Sequence, residues 1–336
     1  MINTKIAPRS LISPNGNPLF GQFDGIPAEL GLEQFEYYDS MDKKASRWAK
    51  HFHYKQFQFV SVVTDRYLIG VAIADIRYLC SAFCYVYDIE NDLLVEQTWL
   101  RPLHFGSTTA HSPLNGSTEI AGSLRFDIHN QTWHVSINSR VINANFSLSP
   151  EPASLPLAMS TPTGYNGWTY TQKHNALAVK GHLNINNESV ELTQALAGYD
   201  FSAGYMRRET SWRWASINAQ VNGKPLGLNL AAGVNETGSS ECALWVNGER
   251  HLLSPVHFQF DRRISKKPWS ITSDDGRINL RFKPINQRSE KINLCFIKSN
   301  FRQYIGRFSG AIEDNNGVTH HLDNILGLTE DHFAKW

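Results

Sequence analysis

Four short dipeptides set the architecture of the chain's second half. Asn222-Gly223 separates the strand-like runs 212–221 and 226–232, and Asn247-Gly248 separates 243–246 and 250–253. Asp275-Gly276 precedes 278–282, and Asn316-Gly317 separates 310–312 and 318–321. Asn-Gly and Asp-Gly supply the positive φ angles that two-residue hairpin turns require. Four such turns between strand-like runs predict consecutive antiparallel hairpins, an up-and-down meander. A long meander must manage its edges, by closing into a barrel or stacking into a sandwich.

The first half reads as strands too. From Lys55, Phe57, Phe59, Ser61 and Val63 share one face, and Gln58, Val60 and Val62 share the other. Residues 67–73 and 78–87 are rich in aromatic and β-branched side chains, apolar on two faces, and so read as central strands. Further strands are expected at 118–128 and 132–137. Nine tryptophans against four methionines suit strands better than helices. Helix is expected only in a short piece around 43–50 and at 328–335. The fold class that follows is all-β, in two antiparallel lobes. Residues 1–30, with prolines and glycines throughout, read as an extended arm on the first lobe, 1–148. Residues 149–163 hold four prolines and read as a linker, with the second lobe at 164–336.

Composition excludes several functions. Lysine and arginine total 32 against 31 acidic residues, so no dominant basic face awaits a nucleic acid. No stretch approaches the roughly 20 uncharged residues of a spanning helix, and residues 1–16 lack the apolar core of a signal peptide. An intracellular, cytoplasmic protein is expected. Cys80, Cys84, Cys242 and Cys295 form no CxxC and read as reduced, packed thiols. No GxSxG, P-loop or GxGxxG after a strand is present, and no cofactor is expected. No metal site is expected either. His104 and His111 match no metal spacing, His51 and His53 could share a strand face without a third partner, and His320 and His321 point to opposite faces.

The stretch most suggestive of chemistry is 199–216, YDFSAGYMRRETSWRWAS. Its second half alternates like a strand; its first half reads as a loop or irregular edge. Asp200 is a candidate acid. Tyr205, Trp212 and Trp214 are candidate ligand-facing rings, and Arg207 and Arg208 are candidate anchors. On the strand, Trp212, Trp214, Ser216, Asn218 and Gln220 share one face, which suits a cavity wall. Arg213 lies opposite and drops out of the site. In the alternative, the tryptophans pack in a core or against the other lobe, and the polar residues meet solvent. Glu241 is a second candidate acid; Glu236 lies close to it in sequence.

The blocks GYDFSAGY, RRE, WRWAS, GLNLAAGVNETG, SECALWVNGERHLL, ITSDDGRINLRF and QYIGRFSGAI resemble the bacterial domain-of-unknown-function family 2804. Residues 59–88 resemble that family's first lobe. Its second lobe is distantly similar to calycin-like, lipocalin-like proteins that include carotenoid 1,2-hydratases and fungal pericyclases. The resemblance implies two β-rich lobes enclosing an apolar pocket, in which a buried acid protonates an alkene beside aromatic rings. Where the family pattern has Asp-Trp, this chain has Asp200-Phe201, so no catalytic role is carried over. Three functions are then open. The first is a binder of an apolar small molecule, such as a lipid, isoprenoid or polyene, in a pocket at the lobe junction or barrel mouth. The second is a cofactor-independent hydratase, isomerase or cyclase acting on such a molecule. The third is a carbohydrate-handling β-sandwich.

Overall fold

The computed structural model describes residues 2–235, 238–294 and 297–336, so Glu236 and Cys295 lie outside the described residues. The chain divides into two compact units, Met1–Met206 and Arg207–Trp336.

The first unit begins with β1 (Thr4–Ile6), β2 (Gly21–Asp24) and the helix α1 (Arg47–His53). There follow β3 (Lys55–Val63), β4 (Tyr67–Asp75), β5 (Leu79–Asp88), β6 (Leu93–Pro102), β7 (Ser107–Thr109), β8 (Asn115–Ile120), β9 (Leu124–His129), β10 (Thr132–Asn138) and β11 (Ile142–Ser149). The unit ends with β12 (Leu157–Thr163), β13 (Gly167–Ile185), β14 (Glu188–Ser189) and β15 (Leu196–Gly204). They form one curled sheet in the order β6-β5-β4-β3-β15-β13-β11-β10-β9-β8-β7. Strand alternation builds its core. Val60 and Val62 of β3, Ile69, Val71 and Ile73 of β4, Trp133 and Val135 of β10, and Tyr199, Phe201 and Ala203 of β15 are all buried. Each large apolar side chain so buried contributes about 1.5–3 kcal/mol. A register shift between His174 and Leu177 lets the 19-residue β13 bend and serve β12, β15 and β11 in turn.

Within this unit, residues 149–163 run into β12, which pairs with β13 on one side and β2 on the other. The amino-terminal arm thereby joins the sheet, and Leu11, Phe23 and Leu30 enter its core. The segment expected to be irregular, residues 199–204, lies in the regular strand β15, paired along its length with β3 and β13. His51 and His53 lie on α1, not on a strand face. Ser46 caps that helix by accepting from the Ala49 amide, and Lys55 Nζ donates to the Phe52 carbonyl at its far end.

The second unit contains β16 (Glu209–Val221), β17 (Lys224–Ala232), β18 (Ala243–Val246), β19 (Glu249–Leu252), β20 (Val256–Gln259), β21 (Trp269–Ser273), β22 (Ile278–Leu294), β23 (Ile297–Glu313) and β24 (Thr319–Lys335). Two meanders meet at the β16–β24 pair, in the order β19-β18-β17-β16-β24-β23-β22-β21-β20. All four Asn-Gly and Asp-Gly turns join neighbouring antiparallel strands. The helix expected at 328–335 is instead the end of β24. That strand is paired on both sides, and Leu328 to Asp331 are buried on both faces, so its sequence lacks strand alternation.

Both units are curled antiparallel sheets, so the molecule is all-β with one short helix among the described residues. No described helix is long and apolar enough to cross a membrane. Cys80, Cys84 and Cys242 are free and buried.

Candidate functional site

One end of the first unit's sheet gathers groups that are far apart in sequence. There β3 begins, β4 and β6 end, and α1 precedes β3. Asp75, the last residue of β4, continues the inward face of Val71 and Ile73 and is 1% exposed. The turn after it places Arg77 at φ 72°, with the Arg77 amide donating to Asp75 Oδ1 at 2.7 Å. The turn after β6 holds Leu103 and His104 at φ 49° and 64°. Most non-glycine residues at positive φ in this chain are Asn or Asp, whose short side chains tolerate it. Arg and Leu tolerate it less well, and backbone strain of about 1–3 kcal/mol per residue clusters at functional sites.

The strained turns bring His104 Nε2 to 2.9 Å from Asp75 Oδ1, while Arg77 Nη1 lies 3.6 Å from Oδ2. The pair does not have hydrogen-bond geometry, and His104 Nε2 and Asp75 Oδ2 are both buried without a hydrogen-bond partner in the protein. Arg77 Nη2 is 3.3 Å from His111 Nε2, and His111 Nδ1 is 3.3 Å from Gln56 Oε1. A guanidinium can only donate, so His111 Nε2 accepts and its Nδ1–H donates to Gln56. The Tyr54 hydroxyl also donates to Gln56 Oε1, at 2.7 Å, and Gln56 Nε2 donates to the Ala110 carbonyl. This chain of bonds fixes His111 as one neutral tautomer. Burial, then the Arg77 charge, pushes its pKa down to about 4. Burial and Arg77 lower His51 as well. Burial lowers Lys55 to about 8. Tyr54, beneath the Arg77 guanidinium at 4.7 Å, is raised well above the ordinary tyrosine value by burial.

A cleft of about 310 Å³ opens here, lined by His51, Phe52, Arg77, Leu103, His104 and Thr109. Arg77 Nε and Thr109 Oγ1 are buried without a hydrogen-bond partner in the protein. The rim is apolar. Leu103 and Phe105 are exposed, as is Trp48, which stacks on Phe52. His111 has both ring nitrogens engaged and does not line the cleft. The cleft wall carries the His51 and His104 imidazoles, the latter beside a buried carboxylate, together with the Arg77 guanidinium. Those are the parts of an acid–base site with a holder for developing negative charge. Among the described residues no group of three or more His, Cys, Asp or Glu is placed to hold a metal ion.

The residues singled out from sequence fall in both units. In the first, Asp200 lies on the opposite face of β15 from Tyr199 and Phe201, 2.5 Å from Lys173 Nζ, and it accepts from Ser202 Oγ. Tyr205 packs against Phe35, Tyr37, Trp168 and Tyr54, beside the cleft residues. In the second, Arg207 Nη2 donates to the Gly233 carbonyl, and the Arg208 carbonyl accepts from the Trp336 amide. Trp212 Nε1 donates to Glu330 Oε1 at 2.7 Å, and its ring meets His332 at 4.3 Å. His332 Nε2 in turn is 2.9 Å from Ser299 Oγ. Trp214 Nε1 donates to Asn229 Oδ1, Asn229 Nδ2 donates to the Glu241 carbonyl, and Asn235 donates to Glu241 Oε2. Trp214 and Glu241 are thus brought together, through Asn229. Ser216 and Asn218 on the same strand face are buried; Gln220 is exposed. Asp75, Arg77 and the histidines were missed as a group. Their only sequence signal is position, polar residues at strand ends and in the short turns between strands.

The fold resembles that of CghA, for which two structures match. The structure of CghA with Sch210972 has a TM-score of 0.56 at 10% identity, over 97% of each chain. The other structure of CghA has a TM-score of 0.51 at 10% identity, over 98% of this chain and 97% of that one. Kievitone hydratase from Nectria haematococca matches at a TM-score of 0.49 and 9% identity, over 84% of this chain and 88% of that one. At such identities the CghA likeness is one of fold alone. No curated protein matches the chain in sequence. Residues 10–336 match the profile of a domain of unknown function, and the chain belongs to that family, DUF2804.

Proposed function

We propose that the protein is a cofactor-independent enzyme that moves a proton on an apolar small molecule, as a hydratase, isomerase or cyclase does, in the cleft of the first unit. The observation that carries this reading is the Asp75–His104 contact, held by left-handed backbone at the wall of that cleft. When His104 carries a proton on Nε2, Asp75 is its counter-charge, and Nδ1 is left to exchange a proton with the ligand. Arg77 and Thr109 line the same cleft, and each also keeps a buried polar atom without a hydrogen-bond partner in the protein. The exposed Leu103, Phe105 and Trp48 supply apolar surface for the remainder of the molecule. Asp200 is the less suited acid, because Lys173 and Ser202 already engage its carboxylate.

A second reading, a carrier of a lipid, isoprenoid or polyene, is favoured by the same apolar rim. One experiment separates the two. Protein is incubated in deuterium oxide with an apolar metabolite extract of its host, and products are followed by mass spectrometry. The enzyme reading expects one compound to take up deuterium or change mass, and expects His104→Ala to abolish this while circular dichroism is unchanged. A compound that copurifies unaltered, with no exchange above the His104→Ala background, would establish the carrier instead.

A further inference from the structure

The second unit contains a cluster of different chemistry, and we infer that it binds an oxyanion, a carboxylate or phosphate group. Asp331 of β24 lies directly between Arg213 of β16 and Arg302 of β23 in the paired register. All three side chains stand on one face of the sheet. Arg262, in the segment after β20, completes the set. Its Nε donates to Asp331 Oδ2 at 2.8 Å and its Nη2 to Oδ1 at 2.9 Å, a bidentate pair. Arg302 Nη1 donates to Oδ2 at 3.1 Å, and Arg213 Nε lies 3.2 Å from Oδ1.

One carboxylate is thus surrounded by three guanidiniums, and Asp331 is 3% exposed. Among the described residues none of the three arginines has a second carboxylate within ion-pair distance. Two positive charges are left uncompensated in a half-buried setting, where side chains of Arg213 and Arg302 are 25% and 18% exposed. Like charges gathered on one sheet face repel, and a single aspartate needs at most one bidentate partner. The extra arginines are explained by a second anion that completes the neutralisation. Arg213 and Arg302 each have donors that Asp331 does not use, and the planar guanidinium fork is suited to a carboxylate or a phosphate. The neighbouring apolar surface is the half-buried Phe260 ring, with Trp269 and Tyr304 buried behind it. Arg262 lies over the Phe260 ring, Phe260 stacks on Trp269 at 3.9 Å, and Trp269 meets Tyr304 edge-on. An anionic head with an apolar body fits such a setting.

The test is titration calorimetry on the intact chain at fixed ionic strength, with inorganic phosphate in one arm and octanoate in the other. Binding of phosphate alone identifies a phosphate site, and tighter binding of octanoate identifies an apolar carboxylate as the ligand. Arg302→Gln should weaken the bound anion by about tenfold or more, the effect of losing a charge-assisted hydrogen bond. Asp331→Asn should strengthen it, an opposite sign that general damage to the fold would not produce. His104→Ala in the first unit should leave it unchanged, so that this inference stands or falls apart from the proposed reaction. If Arg302→Gln does not fold, the half-exposed Arg262 is replaced by glutamine instead. No heat with either anion, or equal affinity in the arginine variants, overturns the inference.

Discussion

In each unit a buried carboxylate, Asp75 or Asp331, sits among several basic groups at the end of a sheet, and the basic groups differ. Asp75 faces His104 and Arg77, with His111 and His51 beyond. Asp331 faces Arg213, Arg262 and Arg302. Histidine gains and loses a proton near neutral pH, whereas arginine stays charged under all ordinary conditions. The first cluster can therefore move protons. The second can only hold charge, and Arg262 is held more firmly in its charged form by its hydrogen bond to Asp331. Both share one construction, a buried aspartate on the inward face of a strand; chemistry is set by the side chains brought to it from other strands and turns.

The largest expected effect is on stability, and it can break the comparison. Asp331→Ala strands three guanidiniums together and should cost about 3–5 kcal/mol, as removal of one partner from a buried ion pair does. Asp75→Ala should cost less, about 1–3 kcal/mol, because it leaves one guanidinium, that of Arg77, without its carboxylate rather than three. Urea unfolding of both variants measures this. Equal losses would show that the two clusters respond alike.

The next effect is a dependence on pH. His111 has its folded pKa lowered to about 4 against an ordinary value near 6.5. The unfolded chain then binds more protons between those values, so stability is complete above about pH 6.5 and falls as pH drops toward 4. The loss is about 2–3 kcal/mol over that window. His111→Gln should remove that part of the slope, and Arg302→Gln should leave it intact; unfolding midpoints at pH 4.5 and 7 suffice. A slope retained in His111→Gln would place the titrating group elsewhere.

The smallest effect sharpens the account of the arginines. Arg262 is half exposed, so Arg262→Met should cost only about 1 kcal/mol despite its two hydrogen bonds. A thermal melt reads this directly. A much larger loss would mean that Arg262 has a structural role beyond charge.

Much of this fold was legible in the sequence. The Asn-Gly and Asp-Gly turns fix local backbone geometry with no help from the rest of the chain, and all four join the strands expected. Alternation was legible wherever one face is buried, as at Trp133, Val135 and Ile137. It also runs through Tyr199, Phe201 and Ala203, where the charged and aromatic neighbours drew the reading toward a loop. It was absent from the end of β24, where both faces are covered. The candidate cluster was the least legible part. Asp75, His104 and His111 come together because β4 and β6 end on either side of β5 and the chain returns there after β7. That convergence belongs to the sheet's curl, and the left-handed backbone at Arg77, Leu103 and His104 has no glycine to mark it. Arg213 was set aside because it faces away from Trp212 and Trp214. It does, and on that opposite face it meets Asp331.

The central claim is that the first cluster is built around a neutral His111 locked in one tautomer, while the second holds fixed charge. Nitrogen-15 NMR of the histidine rings tests it most directly. At pH 6 the account predicts His111 neutral, with its proton on Nδ1, and its signals should begin to titrate only near pH 4. A His111 ring already protonated at pH 6, or a neutral ring carrying its proton on Nε2, would contradict it.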